Sequence, residues 1–136
     1  MMVRGIGVDV CEIARLEKMT PESRFVERFF SEEEQAYLMD RGTGFAQSVA
    51  GMYAAKEAFA KALGSGVRGF ELKEVEVLHS PEGQPYYSIS GKALEAQRAR
   101  RIERVFLSIA HDAGIATAFA VGQGPEDWQV REDRAE

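Results

Sequence analysis

The 136-residue chain has little of what marks a secreted or membrane protein. Its single cysteine, Cys11, cannot form an internal disulfide, which predicts a reducing, cytoplasmic setting. No apolar run approaches the roughly 18 residues of a membrane span. The N-terminal residues lead quickly to Asp9 and Glu12, so we expect neither a signal peptide nor a membrane partner.

The chain also lacks an excess of positive charge: 22 acidic residues against 17 basic ones give a net charge of −5. Residues 125–136 hold five acids and two bases, so this segment carries −3 of the total. An acidic balance of this kind argues against nucleic acid as the main partner. The bases Arg98, Arg100, Arg101 and Arg104 lack interleaved aromatic residues and are interpreted as a solvated helix face.

The remaining sequence predicts a single domain over residues 1–122 and an acidic, mobile tail over residues 123–136. Alternating apolar residues indicate strands near residues 5–10, 72–78, 86–90, 105–110 and 116–121. Helical patterns cover residues 12–19, 24–29, 31–41, 47–63 and 91–104. Strands and helices grouped in this way along the chain predict an α+β fold: an antiparallel sheet with helices packed on one side.

The alanine-rich helix over residues 47–63 carries the most informative polar residues. Glu57 and Lys61 lie four apart and therefore share one helix face. On spacing alone they read more readily as an exposed ion pair than as a site. Asp9 stands beside Gly5 and Gly7 on the first strand. It fits either a helix N-cap or a magnesium ligand that converges with Glu57.

The glycines after this helix resemble a phosphate loop only superficially. Gly64, Ser65 and Gly66 follow a helix, whose C-terminal dipole repels anions, so a C-cap and turn is the better local interpretation. Any phosphate contact would have to come from loop amides or from Lys61. His111 ends a core strand and fits either a structural role or a phosphate contact.

Taken together, the motifs resemble the holo-acyl-carrier-protein synthase family, the small 4′-phosphopantetheinyl transferases. The matching segments run in family order over nearly the whole chain to Val121. They are Gly5-Ile6-Gly7-Val8-Asp9-Val10, the Arg24–Glu34 segment, Ala54–Gly66, Gly83-Gln84-Pro85 and Leu107–His111. Two departures stand out: Met52 replaces a frequent arginine, and Ala110 replaces a usual serine.

The resemblance implies transfer of phosphopantetheine from coenzyme A to a serine of apo acyl carrier protein, for fatty acid biosynthesis, with release of adenosine 3′,5′-bisphosphate. It implies that Asp9 and Glu57 bind Mg²⁺ and that Lys61 contacts the coenzyme A phosphates. Gly64, Ser65, Gly66 and His111 would line the nucleotide side. Homotrimers with active sites at subunit interfaces are common in the family.

The residue chemistry adds two further expectations. Glu57, directly or through water, is the hypothetical base for the serine proton, and Lys61 would stabilise charge as the bond breaks. A basic and apolar surface is predicted to dock the acidic carrier; its residues are Arg15, Met19, Arg24, Phe25 and Arg28. The alternatives are a related transferase with another carrier or nucleotide, and a non-catalytic carrier-binding module.

Overall fold

The computed structural model describes residues 1–126. It contains five strands, β1 (Met2–Glu12), β2 (Val75–His79), β3 (Pro85–Ile89), β4 (Arg104–Asp112) and β5 (Ile115–Gly124). Its α-helices are α1 (Arg24–Phe29), α2 (Glu32–Met39), α3 (Phe45–Ala62) and α4 (Gly91–Ala99). The order of strands and α-helices confirms the predicted α+β fold.

The strands form two antiparallel sheets where the sequence predicted one. The larger has the order β1-β5-β4, and β2 pairs with β3 in a separate hairpin. The first and last strands are therefore neighbours. Sequence periodicity identifies strands but carries no information on which edges pair, so the division into two sheets was not foreseen.

Helix α3 packs along the inner face of the larger sheet because both surfaces carry small residues. The inner positions of β5 are Ala116, Ala118, Ala120, Gly122 and Gly124, all buried. On β1, a Cβ added to Gly7 would lie 2.0 Å from the carbonyl oxygen of Ala58. The helix and strand backbones thus meet almost directly, and any side chain at Gly7 would separate them.

The apolar residues of β1 face outward, away from the core. Ile6, Val8 and Val10 lie on the side opposite the buried Gly7, and together with Phe106 and Phe119 they are 42–61% exposed. The register joins Val8 to Phe119 and Ile6 to Val121, so these residues share one sheet face. The inner face of β1 and β5 therefore buries small residues, and the large residues of the outward face stay uncovered in the single chain.

Several element boundaries differ from the sequence expectations; the strand predicted from residue 72, for example, begins at Val75, after a 3₁₀ turn over Leu72–Glu74. Only a 3₁₀ turn (Ile13–Leu16) forms where a helix over residues 12–19 was predicted, because β1 continues to Glu12. Helix α4 ends at Ala99 rather than near Arg104, and Arg101 adopts a left-handed φ of 59°. β5 extends to Gly124, two residues beyond the predicted domain boundary. The predicted tail from residue 127 onward lies outside the described residues.

Helix ends follow the predicted capping chemistry. At the start of α2, the Glu34 amide donates to Ser31 Oγ at 3.3 Å, and the Ser31 amide donates to the Glu34 carboxylate at 2.9 Å. This is the predicted capping box. At the end of α3, Gly64 has a φ of +80°, the left-handed conformation that glycine tolerates best.

Candidate active site

One open stripe of α3 carries the polar residues that the sequence singled out. From residue 49 to residue 63, only Tyr53, Glu57 and Lys61 escape full burial. They are spaced four apart and therefore lie along one line of the helix surface. An otherwise enclosed helix thus presents a phenol, a carboxylate and an ammonium group at the surface.

Lys61 joins this stripe to β1. Its Nζ lies 2.9 Å from Asp9 Oδ1 and donates a second hydrogen bond to the Val8 carbonyl oxygen at 3.1 Å. Lys61 is 54% exposed and Asp9 20%. Among residues 1–126, Lys61 forms its ion pair with Asp9 and none with Glu57, so the pairing expected from i,i+4 spacing is not found.

Asp9 does not cap a helix. It lies inside β1, and Glu12 precedes the 3₁₀ turn without a side-chain capping bond. Gly7 and the alanines of α3 bring the strand close enough for Asp9 to meet Lys61. The N-cap alternative is therefore excluded, and Asp9 is a carboxylate at the seam between strand and helix.

The Tyr53 hydroxyl is affected by the charges of both carboxylates. Burial, a hydrogen bond with Glu57, and the negative charges of Glu57 and Asp9 together raise the pKa of Tyr53 to about 12. With its pKa raised, the phenol stays neutral at neutral pH and can donate its proton to a neighbouring carboxylate. The two acids that the sequence paired as ligands thus act on the same hydroxyl group.

A cavity of about 530 Å³ opens beside Glu57. Arg28, Phe29 and Tyr53 line it together with Glu57, and the opposite wall is formed by Val67 and residues 70–73. Phe25 packs on Tyr53 with ring centroids 5.2 Å apart, and Arg28 lies 5.1 Å from the ring centroid of Phe29. Aromatic packing therefore connects helix α1 to the polar stripe of α3.

The five predicted docking residues do not all border this cavity. Arg15, Arg24 and Arg28 are exposed, and Phe25 is half-buried in the aromatic cluster. Met19 lines a separate groove with Met39 and Phe45. Of the five, Arg28 lines the cavity and Phe25 packs on Tyr53, while Met19 lies on another part of the surface.

The four predicted nucleotide-side residues occupy opposite ends of α3 within one chain. His111 Nε2 lies 3.2 Å from the Gln47 carbonyl oxygen, near the start of the helix. Gly64, Ser65 and Gly66 follow its end. At a rise of 1.5 Å per residue these ends are about 25 Å apart. A single chain does not bring His111 to the glycine loop.

His111 lies in a second, smaller cavity of about 270 Å³. Its lining includes Tyr37, Arg41, His79 and Pro85 as well as His111. Tyr37 stacks on His79 with ring centroids 4.0 Å apart. The Arg41 guanidinium lies over the Tyr37 ring, 4.5 Å from its centroid. Burial, followed by the positive charge of Arg41, lowers the pKa of His79, so this ring stays neutral near pH 7.

Two functional features were missed from the sequence. Arg100, interpreted as a solvated residue, has its Nη1 3.4 Å from the position of a Cβ on Gly64, so its positive charge borders the glycine loop. Lys56 was not singled out, although it is fully buried in a salt bridge with Glu34. A lysine inside an alanine-rich helix, next to the predicted metal ligand, was the available signal.

Among residues 1–126, no group of three or more His, Cys, Asp and Glu side chains forms a candidate metal cluster. No helix in this part of the chain has the length and hydropathy needed to cross a membrane.

Comparisons with known proteins identify the family. The model of the 4′-phosphopantetheinyl transferase superfamily matches residues 5–121. The chain belongs to this superfamily. A holo-[acyl-carrier-protein] synthase of Treponema denticola is 39% identical over 123 residues, covering 90% of this chain and all of that protein. The resemblance stated from the sequence motifs is thereby confirmed.

Solved structures give the same answer for the fold. The Helicobacter pylori holo-[acyl-carrier-protein] synthase in complex with coenzyme A superposes with a TM-score of 0.73 at 34% identity, covering 87% of this chain and 99% of that one. The Bacillus anthracis synthase in complex with CoA (3′,5′-ADP) gives 0.75 at 32%, covering 92% and 100%. Both the family and its fold therefore extend over the described domain.

Proposed function

We propose that this chain is a magnesium-dependent holo-[acyl-carrier-protein] synthase. It moves the 4′-phosphopantetheine group of coenzyme A to a serine of an apo acyl carrier protein and releases adenosine 3′,5′-bisphosphate. The observation that carries the proposal is the open stripe of Tyr53, Glu57 and Lys61 facing Asp9, in a chain of the phosphopantetheinyl transferase superfamily. The names of the similar proteins and the coenzyme A complex among the similar solved structures support it.

The donor set fits Mg²⁺. This ion is commonly held by one or two carboxylates together with substrate phosphates and water, so two acids suffice. Asp9 is partly exposed and paired with a cation, and its charge acts on Tyr53 together with that of Glu57. Asp9 and Glu57 would hold the ion, which when bound would polarise the pyrophosphate as a Lewis acid.

Lys61 binds and orients the phosphate being transferred. An ammonium group has three protons, and two already point to Asp9 and the Val8 carbonyl. The third is free to donate to a phosphate oxygen, because Lys61 is half exposed. Asp9 holds the ammonium group in place, so little rotamer freedom is lost when the phosphate binds.

The nucleophile is the carrier's serine. Its Oγ forms a bond to the phosphorus that bears pantetheine, while the bond from that phosphorus to the bridging pyrophosphate oxygen breaks. The electron pair leaves with adenosine 3′,5′-bisphosphate. Glu57 takes the hydroxyl proton, directly or through water, since its carboxylate has acceptor capacity beyond the bond with Tyr53.

Two cations offset the unfavourable helix dipole at the glycine loop. The C-terminus of α3 carries partial negative charge, which repels phosphate. Lys61 lies in the last turn and Arg100 borders Gly64. We assign the loop of Gly64, Ser65 and Gly66 to the nucleotide side, with these two side chains supplying the positive charge.

The active enzyme is a homotrimer with sites shared between neighbouring subunits. His111 and the glycine loop lie at opposite ends of α3, so one site can use both only if they come from different chains. The uncovered sheet face of Ile6, Val8, Val10, Phe106 and Phe119 supplies an apolar surface for the contact. Burying this face would remove several large hydrophobic side chains from water.

The apo carrier protein docks beside the aromatic cluster of α1. Arg24 and Arg28 are exposed there, and Phe25 and Phe29 provide apolar contact next to the cavity at Glu57. Positive charge at this surface favours an acidic partner. We assign the exposed Arg15 and the groove residue Met19 to the same docking event. Cys11 is a buried free thiol, which is compatible with the cytoplasmic location predicted from the sequence.

A mass-spectrometric assay tests the proposed function. Incubation of the protein with coenzyme A, Mg²⁺ and an apo acyl carrier protein should add the mass of phosphopantetheine to the carrier. Glu57→Gln should abolish the gain while the melting temperature stays near that of the wild type, and Glu33→Gln, an exposed change on α2, should leave it intact. A carrier of unchanged mass with the wild-type protein would refute the activity. Full activity in excess chelator would refute the metal dependence alone.

A further inference from the structure

Lys56 is a fully buried lysine whose ammonium group makes three hydrogen bonds. It immediately precedes Glu57 on α3. Its Nζ lies 2.8 Å from Glu34 Oε1, 2.9 Å from the Leu72 carbonyl oxygen and 2.8 Å from the Val75 carbonyl oxygen. The three donors of the ammonium group are thus matched by three acceptors.

Glu34 extends this network to two further elements. Its carboxylate accepts from the backbone amides of Ser31 and Val77, each at 2.9 Å. The Lys56–Glu34 pair therefore connects the start of α2, the middle of α3 and strand β2. Burial lowers the pKa of Lys56 and raises that of Glu34, which shows that enclosing this pair has a cost.

Stability alone does not account for such a pair. Hydrophobic residues of similar volume often stabilise a core as well as a buried ion pair does, or better. What hydrophobic residues cannot do is fix the direction of particular backbone carbonyls. Lys56 does this for Leu72 and Val75, which bracket a 3₁₀ turn (Leu72–Glu74).

The fixed segment is one wall of the cavity beside Glu57. Leu72 lines that cavity together with Phe70 and Lys73, while Tyr53 and Glu57 line the side formed by α3. Lys56 thus lies behind the cavity and ties its two sides together. Movement of the 3₁₀ turn would change the distance between the wall and the carboxylate of Glu57.

We propose that Lys56 is a positioning residue. Together with Glu34 it holds residues 70–73 at a fixed separation from Glu57. This separation sets the geometry in which the phosphate being transferred meets the Glu57 carboxylate. This inference rests on the proposed function. It assigns to the buried pair a role in turnover that is separable from its role in folding.

The test compares activity with stability in charge-free and charge-retaining variants. Lys56→Met alone leaves Glu34 buried without a partner and should lower the melting temperature. The double variant Glu34→Leu/Lys56→Met removes both charges and should regain much of the stability. Lys56→Arg keeps the ion pair but cannot direct one ammonium group to both carbonyls. Lys92→Met, on the exposed face of α4, is the matched control.

We expect the folded double variant and Lys56→Arg to show kcat reduced by about tenfold or more, with the KM for the carrier unchanged. Wild-type kcat in either variant, when folded, would overturn the proposal. Hydrogen exchange of the amides of residues 70–73 provides a readout independent of activity and should accelerate in both variants. Unchanged exchange would also overturn it. If exchange accelerates in the variants but the wild-type protein transfers no phosphopantetheine, the positioning of residues 70–73 by Lys56 and Glu34 would be supported and the proposed function refuted.

Discussion

Lys61 on α3 and Asp9 on β1 form an ion pair of 2.9 Å that links the helix and the strand at the candidate site. The pair is possible because Gly7 lets β1 approach the helix backbone directly. Exposed pairs of this kind contribute little to stability. Its importance lies in orientation, since it holds an ammonium group beside the carboxylate that would bind the metal.

Replacement of Lys61 by Met should lower kcat by about 100-fold, because one preorganised donor to the phosphate is lost. The melting temperature should change little, since Lys61 is half exposed. Steady-state kinetics with saturating coenzyme A and carrier measure the effect. Lys18→Met, at another exposed lysine, should behave as the wild type. Full kcat in Lys61→Met would remove this side chain from the catalytic proposal.

Mixed oligomers test whether the site is shared between subunits. Glu57→Gln and His111→Ala should each be nearly inactive alone. If one subunit supplies Glu57 and its neighbour His111, random mixing of the two variants should restore about a quarter of wild-type activity, because that fraction of interfaces pairs two intact residues. The mixture must be refolded together so that subunits exchange. Activity no greater than that of the separate variants would contradict a shared site.

The outward sheet face should be the surface of assembly. Phe119→Lys places a charge at the centre of this face, where Phe119 is 43% exposed in the single chain. We expect trimers to dissociate and activity to fall with them, as measured by light scattering coupled to size exclusion. Met39→Lys adds the same charge at an exposed apolar residue of α2 and should stay trimeric. A trimeric Phe119→Lys variant would locate the contact elsewhere.

Gly7→Ala should destabilise the fold by about 3 kcal/mol, because overpacking at a rigid backbone contact forces strand and helix apart. The added Cβ would lie 2.0 Å from the Ala58 carbonyl oxygen. Urea unfolding measures the loss. Gly44→Ala is the matched control, since a Cβ there meets nothing within 4 Å and the backbone φ is −86°. Equal stability of the two variants would contradict the direct contact of β1 with α3.

Alkaline titration should detect the environment of Tyr53. Its pKa is raised from 10.0 to about 12, by burial first and by Glu57 second. Because the unfolded chain loses this proton at lower pH than the folded chain, the contribution is present below pH 10 and is lost as pH rises towards 12. The phenolate absorbance of the wild type minus that of Tyr53→Phe isolates the group. A midpoint near 10 would contradict the burial and the contact with Glu57.

Local chemistry made much of the fold predictable. Ser31 and Glu34 specify a capping box in any context, and a glycine after an alanine-rich helix specifies a left-handed cap. Helix α3 was expected over residues 47–63 and spans Phe45–Ala62. The stripe of Glu57 and Lys61 follows from helical spacing, and the family motifs identified both residues and Asp9.

Properties set by distant packing could not be predicted in this way. The alternation in β1 shows that Ile6 and Val8 share a face, but not that this face is exposed while the glycine face is buried. The partner of Lys61 depends on a strand some fifty residues away. The position of Lys56 in an alanine-rich helix signals an unusual lysine, but its partners could not be predicted, because the Leu72 and Val75 carbonyls belong to a segment well separated along the chain.

The pairing of β1 with β5 has a consequence for synthesis of the chain. β1 is synthesised first but cannot form its hydrogen bonds in the sheet until β5 is synthesised, because β5 is the central strand and ends at Gly124. Until then, both β1 and β4 lack their hydrogen-bonding neighbour, and loop closure spans almost the whole domain. Nascent chains stalled before Gly124 are therefore expected to be sensitive to protease, however well α3 has formed.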